Sequence, residues 1–216
     1  MSLITLKNIK KEYGKNQVLF ENLSLEIEKG EFVGLVGKSG AGKTTLLNII
    51  GLITDISEGT ITIDGHQNLS MNGKNAMILR RYTIGYLFQN YGLIEDESVL
   101  LNLKLALEYK KIKREEKLKL INKYLKQFEL SDMLNKKVYQ LSGGEQQRIA
   151  IIKLILQGSQ IILADEPTSG LDKENELIVM KLLKELNEKG ITIIMVTHNM
   201  NLCDCFSRVI NVENFR

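Results

Sequence analysis

Proline is almost absent from this 216-residue chain, which has one, and cysteine nearly so, with two. A single proline beside 17 glycines excludes collagen-like and proline-rich architectures. Cys203 and Cys205 make a lone C-x-C, neither a disulfide framework nor a zinc site. They read as two reduced thiols beside a late strand. Excess charge is small as well: 29 Lys+Arg against 26 Asp+Glu gives +3, too little to argue for a nucleic-acid partner. Long hydrophobic runs are missing. Stretches such as Thr44–Thr54 and Leu154–Ala164 carry polar residues and stop short of the ~20 apolar residues that a bilayer demands. Lys7 arrives before any apolar leader core can form, which argues against a secretory signal. Together these absences predict a soluble, cytosolic chain.

What is present is ordinary for a globular protein: 44% hydrophobic and 25% charged residues. At roughly 150 residues per domain the length fits one compact α/β unit with an inserted subdomain. No repeat, low-complexity tract or linker divides it. Four apolar runs, 31–37 (EFVGLVG), 83–88 (TIGYLF), 160–165 (QIILAD) and 191–197 (ITIIMVT), are short and mostly unalternated. Such runs suit strands buried on both faces of a parallel sheet. Each is followed by polar or reactive residues: a Gly-rich loop, Gln89, the Asp165–Glu166 pair and His198. Ligands of open α/β sheets bind outside the carboxyl ends of the strands, so four segments aim their chemistry at one edge. By contrast, 23–27 (LSLEI) and 60–64 (TITID) alternate as half-exposed antiparallel strands do.

Between Gln89 and Ser142 the pattern turns helical. Leu118, Ile121, Leu125 and Phe128 recur at helical spacing on a Lys/Arg-rich segment, which Glu115 and Glu116 mark as a solvated amphipathic helix. A late helix is predicted over 173–189, capped by Asp172 and ended at Gly190.

Residues 37–44, GKSGAGKT, fit G-x-x-x-x-G-K-[ST] between a strand and a helical run, the context of a phosphate-binding loop. Glycines let the backbone curl its N–H groups around an anion, and the helix adds its positive amino end. The phosphate-binding set is Gly37, Ser39, Gly40, Ala41, Gly42, Lys43, Thr44 and Thr45. Lys43 would neutralise β- and γ-phosphate oxygens and Thr44 would place its hydroxyl on Mg²⁺. Asp165, ending a buried strand, is placed to hold Mg²⁺ directly or through water, and Glu166 to polarise the attacking water. In 141–152 (LSGGEQQRIAII), Ser142 and Glu145 form a capping box, while Gly143 and Gly144 leave the helix start open to an anion.

Residues 141–148, LSGGEQQR, resemble the signature sequence of the ATP-binding cassette (ABC) ATPases at every position. The resemblance covers nearly the whole chain. It implies an α/β fold of the P-loop NTPase type, with a mainly parallel core sheet, an N-terminal antiparallel β subdomain and an inserted helical subdomain. It divides the single domain, 1–216, into a core of 1–89 and 159–216 and a helical part of about 90–158. It implies that Tyr13 stacks on adenine, that Gln89 senses Mg²⁺ and the attacking water and contacts a transmembrane partner, and that His198 contacts the γ-phosphate. Residues 169–172 (SGLD) match the loop that links the two halves of a dimer. Ser142, Gly143 and Gly144 would reach ATP held by a second copy. His66, in a polar stretch, has no such placement and reads as a surface residue. Lys38 fills a position that is often small or proline in relatives and should not disturb binding.

The resemblance thus implies an ATPase using ATP and Mg²⁺, paired head to tail with a second copy. It would power a separate transmembrane permease from the inner face of the cell membrane, in the cytoplasm, without nucleic acid. Residues 84–107 resemble the MacB/LolD-like branch and its small bacteriocin-export ATPases, which points to export of a peptide, antimicrobial or lipophilic substrate. No residues follow 216 for the regulatory domain of several importer ATPases. Other readings are an importer ATPase, or a soluble ABC ATPase serving iron–sulfur assembly or nucleic acid. The repair type inserts a coiled coil or zinc module between loop and signature, where this chain has an ordinary helical segment.

Overall fold

The structure, a computed structural model, describes residues 2–14 and 17–215. Two sheets share the work. An antiparallel sheet in the order β2-β1-β4 comprises β1 (Ser2–Tyr13), β2 (Gln17–Glu28) and β4 (Glu58–Ile63). A parallel sheet in the order β5-β6-β7-β3-β8 comprises β3 (Phe32–Val36), β5 (Ile84–Leu87), β6 (Ile161–Asp165), β7 (Thr192–Val196) and β8 (Arg208–Asn211). The four apolar runs are β3, β5, β6 and β7, as expected. The chain adds a fifth parallel strand, β8, which pairs with β3 at the edge. Its four residues alternate in burial and gave no long apolar run to read.

Period-two alternation sends neighbours in each parallel strand into different cores. Val33, Leu35, Ile161, Leu163, Ile194 and Val196 enter the core shared with the antiparallel sheet and helix α1 (Lys43–Ile50). Phe32, Ile162, Ala164, Ile193 and Met195 enter the opposite core. That second core is covered by α3 (Val99–Ala106), α4 (Arg114–Gln127), α5 (Gly143–Gln157) and α6 (Lys173–Glu188). Helix α2 (Lys74–Tyr82) precedes β5. With both faces covered, β3 and β7 are buried along their whole length, which is why they read as unbroken apolar runs.

The helix termini follow their local chemistry. In α4 the buried side is Ile121 and Leu125, with Phe128 buried just past its end. Asp172 caps α6 by accepting the Asn175 N–H at 2.8 Å, and Gly190 follows its last residues in a left-handed turn. Ser142 caps α5 with the capping box complete: Glu145 Oε2 accepts the Ser142 N–H at 2.7 Å and its hydroxyl at 2.8 Å. His66 sits half-buried in a turn after β4, its backbone bridging Ile63.

Candidate active site

Strands β6, β7 and β3 are neighbours, so their carboxyl ends bring Asp165–Glu166, His198 and the 37–42 loop to one place. There Glu166, His198 and most of the loop border a cavity of about 450 Å³, together with Tyr13, Gln17 and Leu19 from the antiparallel sheet, while Asp165 joins them through its bond from Thr44. Ser39, Gly40, Gly42, Lys43, Thr44 and Thr45 form its loop side. Gly37 and Ala41 lie behind it: the Gly37 carbonyl holds the lysine, and Ala41 is buried with its N–H on Lys38 O at 3.1 Å.

The loop is shaped by contact and by dihedral angle. Gly42 has φ 96°, and a Cβ there would come within 2.7 Å of the Phe20 ring. Only glycine combines that conformation with that closeness. The first bond of α1 runs from Leu46 N to Gly42 O, so the N–H groups of Lys43, Thr44 and Thr45 have no carbonyl of the helix to meet. They form a positive helix end beside the cavity.

Lys43 is nearly buried, and its ammonium donates to Gly37 O at 2.8 Å and Lys38 O at 3.0 Å. It is therefore held across the mouth of the loop by neutral carbonyls. Thr44 donates its hydroxyl to Asp165 Oδ1 at 3.1 Å. Burial raises the Asp165 carboxyl above its ordinary range; the Thr44 hydrogen bond lowers it, Glu166 raises it and Lys43 lowers it, with a net rise. Glu166 has φ 47°, a left-handed backbone that costs a non-glycine residue about 1–2 kcal/mol. Its N–H bonds Val196 O at 3.1 Å and its carbonyl accepts from Ser169 N at 3.0 Å, which fixes the turn. The result is a carboxylate whose Oε2 lies 3.2 Å from His198 Nδ1.

The donor set fits a hard divalent cation carrying phosphate. Thr44 and Asp165 offer only oxygen, and among the described residues no cluster of three or more His, Cys, Asp or Glu could enclose a metal by itself. Such a partial oxygen set is how proteins hold Mg²⁺, which keeps waters and substrate phosphates in its shell.

Gln89 lies exposed, two residues beyond the end of β5 and beside the Asp165 strand, and does not border this cavity. Nor do Ser142, Gly143 and Gly144 at the start of α5. Their turn instead lies against Leu171 and Asn175 at the start of α6. A Cβ on Gly144 would overlap the Asn175 side chain; Arg148 Nη1 donates to Asn175 Oδ1 at 3.2 Å, and Asn175 Nδ2 donates to Asp172 Oδ2 at 2.9 Å. Sequence reasoning missed Gln17, Leu19 and Asn175. For Leu19 the only signal was its place in the short apolar stretch 18–20; for Asn175 there was none beyond its nearness to the cap.

Comparison with known proteins agrees with this geometry. The ABC transporter family model matches residues 20–169. The macrolide export ATP-binding/permease protein MacB of Campylobacter jejuni is 42% identical over 212 residues, 98% of this chain and 33% of that protein. The chain thus spans about one third of the length of the MacB relatives it matches. The ABC transporter ATP-binding protein MJ1508 of Methanocaldococcus jannaschii is 40% identical over 215 residues, 98% of this chain and 96% of its own length. Among solved structures, the ATP-binding cassette MJ0796, in a dimeric post-hydrolysis state bound to ADP and Pi, matches with a TM-score of 0.87 at 38% identity, covering 96% of this chain and 93% of that one. The family match and the near full-length likeness to a solved cassette put the chain in the ABC transporter family, as an ATP-binding cassette.

Proposed function

We propose that the chain is the nucleotide-binding subunit of a transporter and that two copies pair head to tail around two ATP molecules. One observation carries this reading: Ser142–Gly144 do not border the cavity formed by the phosphate loop of their own chain. An anion-ready helix start outside its own site calls for a second copy to complete it. In this arrangement Lys43 and the 39–45 backbone hold the β- and γ-phosphates, and Ser142, Gly143 and Gly144 of the other copy close over the γ-phosphate. Tyr13 supports the adenine. Thr44, Asp165 and Gln89 would hold Mg²⁺, which when bound would supply charge neutralisation of the phosphates. Glu166 orients the attacking water and takes its proton as oxygen bonds to the γ-phosphorus and ADP leaves. His198, donating through Nδ1 to Glu166, contacts the γ-phosphate through Nε2.

The motion passes to a separate permease through the surface around Gln89. Beside it, Ile53, Tyr86, Phe88 and Leu154 line a groove of about 240 Å³. Ile53 and Phe88, each about two-fifths exposed, give that groove an apolar lip on which a partner could rest. Among the described residues no helix is long and apolar enough to cross a membrane; in this reading a permease supplies the membrane-spanning part. The cassette works in the cytoplasm at the inner face of the cell membrane. Residues 1–89 and 159–216 form its core and about 90–158 its helical arm. The likeness to the ATP-binding third of MacB supports export of a peptide, antimicrobial or lipophilic substrate. Deletion of the gene should therefore reduce peptide resistance or secretion; lost solute uptake alone would reverse the direction.

Mixing Lys43→Ala with Ser142→Arg chains tests the pairing. One site of the mixed dimer carries both lesions and the other neither, so labelled ATP should be trapped at the intact site. Trapping no greater than that of either variant alone, with mixed dimers verified, would refute the cross-dimer role.

A further inference from the structure

Lys11 is the one lysine of β1 that is nearly buried, at 9% exposure, although its strand lies in the antiparallel sheet whose edge borders the nucleotide cavity. Among the described residues no carboxylate pairs with it. Its ammonium donates instead to Asp55 O at 2.8 Å, with Thr54 Oγ1 at 3.4 Å. Lys11 and Tyr13 stand two apart on a strand, so they share a face. The ammonium lies 4.7 Å from the centroid of the Tyr13 ring, within cation–π range. At the far end of the ring the Tyr13 hydroxyl meets Thr45 Oγ1 at 3.3 Å. The ring is thus fixed at its tip and on one face, while it remains 45% exposed at the cavity edge.

We infer that Lys11 is a positioning residue for the nucleobase: its ammonium holds one face of Tyr13 so that the other face is presented to the purine. The inference rests on the reading of Tyr13 as the base platform and adds the residue that sets it. Two physical effects follow. A ring pinned before binding loses less rotamer freedom when a base stacks on it. A cation under one face also draws the π density toward itself, which reduces repulsion between the opposite face and the π cloud of the purine. A neutral side chain of equal length fills the space and supplies neither the charge nor the pinning.

The test separates the base from the phosphates. ATP and inorganic tripolyphosphate are titrated calorimetrically into the parent, Lys11→Met, Lys11→Arg, Tyr13→Ala and the Lys11→Met/Tyr13→Ala double variant. Lys11→Met should weaken ATP about threefold, the worth of a partly exposed cation–π contact, and leave tripolyphosphate unchanged. Lys11→Arg should retain most of the affinity, and Lys11→Met should add nothing in the Tyr13→Ala background. Should Lys11→Met unfold, Lys11→Gln, uncharged but still a donor, should show the same loss. The chain has no tryptophan, so Tyr13→Trp installs a single tryptophan at the platform, excited selectively over the remaining tyrosines. ATP should quench it, and less so when Lys11→Met is added. Equal weakening of ATP and tripolyphosphate would mean that Lys11 only supports the fold, and would overturn the inference. So would unchanged ATP affinity in Lys11→Met with a loss in Tyr13→Ala. Unchanged ATP affinity in Tyr13→Ala would instead remove the base-platform reading itself.

Discussion

At the scale of single residues, the charges around the cavity rest on neutral partners: Lys43 on two carbonyls and Asp165 on the Thr44 hydroxyl. That arrangement suits a site whose counter-charges arrive with the ligand, and it burdens the empty protein. Burial lifts the Asp165 carboxyl above its ordinary value of 3.8, so the folded chain holds this proton more tightly than the unfolded chain. Its contribution to stability is therefore full below pH 3.8 and falls as pH rises through the folded value. At neutral pH the bare carboxylate is a liability. Asp165→Asn should raise the melting temperature of the nucleotide-free protein at pH 7 by about 2 °C, with the gain shrinking toward pH 4. The same variant should lose the further thermal shift that Mg²⁺ with ATP gives the parent. A pH series of melting curves, with and without MgATP, checks both. A variant less stable than the parent at pH 7 would show that the Thr44 bond outweighs burial.

At the scale of elements, the parts legible in the sequence were those with local signals. Strands β3, β6 and β7 showed as unbroken apolar runs because both their faces are covered, and α5 showed through its capping box. Strand β8 was not legible, since four edge residues with one buried side chain carry no run to detect. Contacts between distant segments were equally silent. Lys11 meets Thr54 and Asp55 more than 40 residues away, and Arg148 meets Asn175 across 27. Spacing rules reach a helical turn or a strand neighbour and no further. The Arg148–Asn175–Asp172 chain matters because it ties α5 to the start of α6, where Asn175 also lies against Gly144. Gly144→Ala should force its new Cβ into Asn175 and cost about 1–3 kcal/mol, as overpacking does. Asn175→Ala should relieve that clash, so the double variant should be more stable than the sum of the two single losses predicts. Denaturant titration of all four proteins gives the coupling energy; strict additivity would show that the two residues do not bear on each other.

For the whole molecule, the sheet order explains why one cavity collects residues from 39 to 198. Adjacent strands β6, β7 and β3 deliver carboxylates, histidine and phosphate loop to a single edge. The antiparallel sheet adds Tyr13 from the side. The helical layer carries Ser142–Gly144 outside that cavity, so on the proposed pairing a lone chain offers only half of a closed site. Glu166→Gln probes that account most directly. It removes the proton acceptor and keeps Lys43, Thr44 and Asp165, so ATP should bind, turnover should stop, and the closed pair should accumulate. Size-exclusion chromatography with saturating ATP should show the variant moving from 24.5 kDa to twice that mass, while without ATP it runs as the monomer. A Glu166→Gln protein that remains monomeric at saturating ATP, or that hydrolyses ATP at the parental rate, would contradict it.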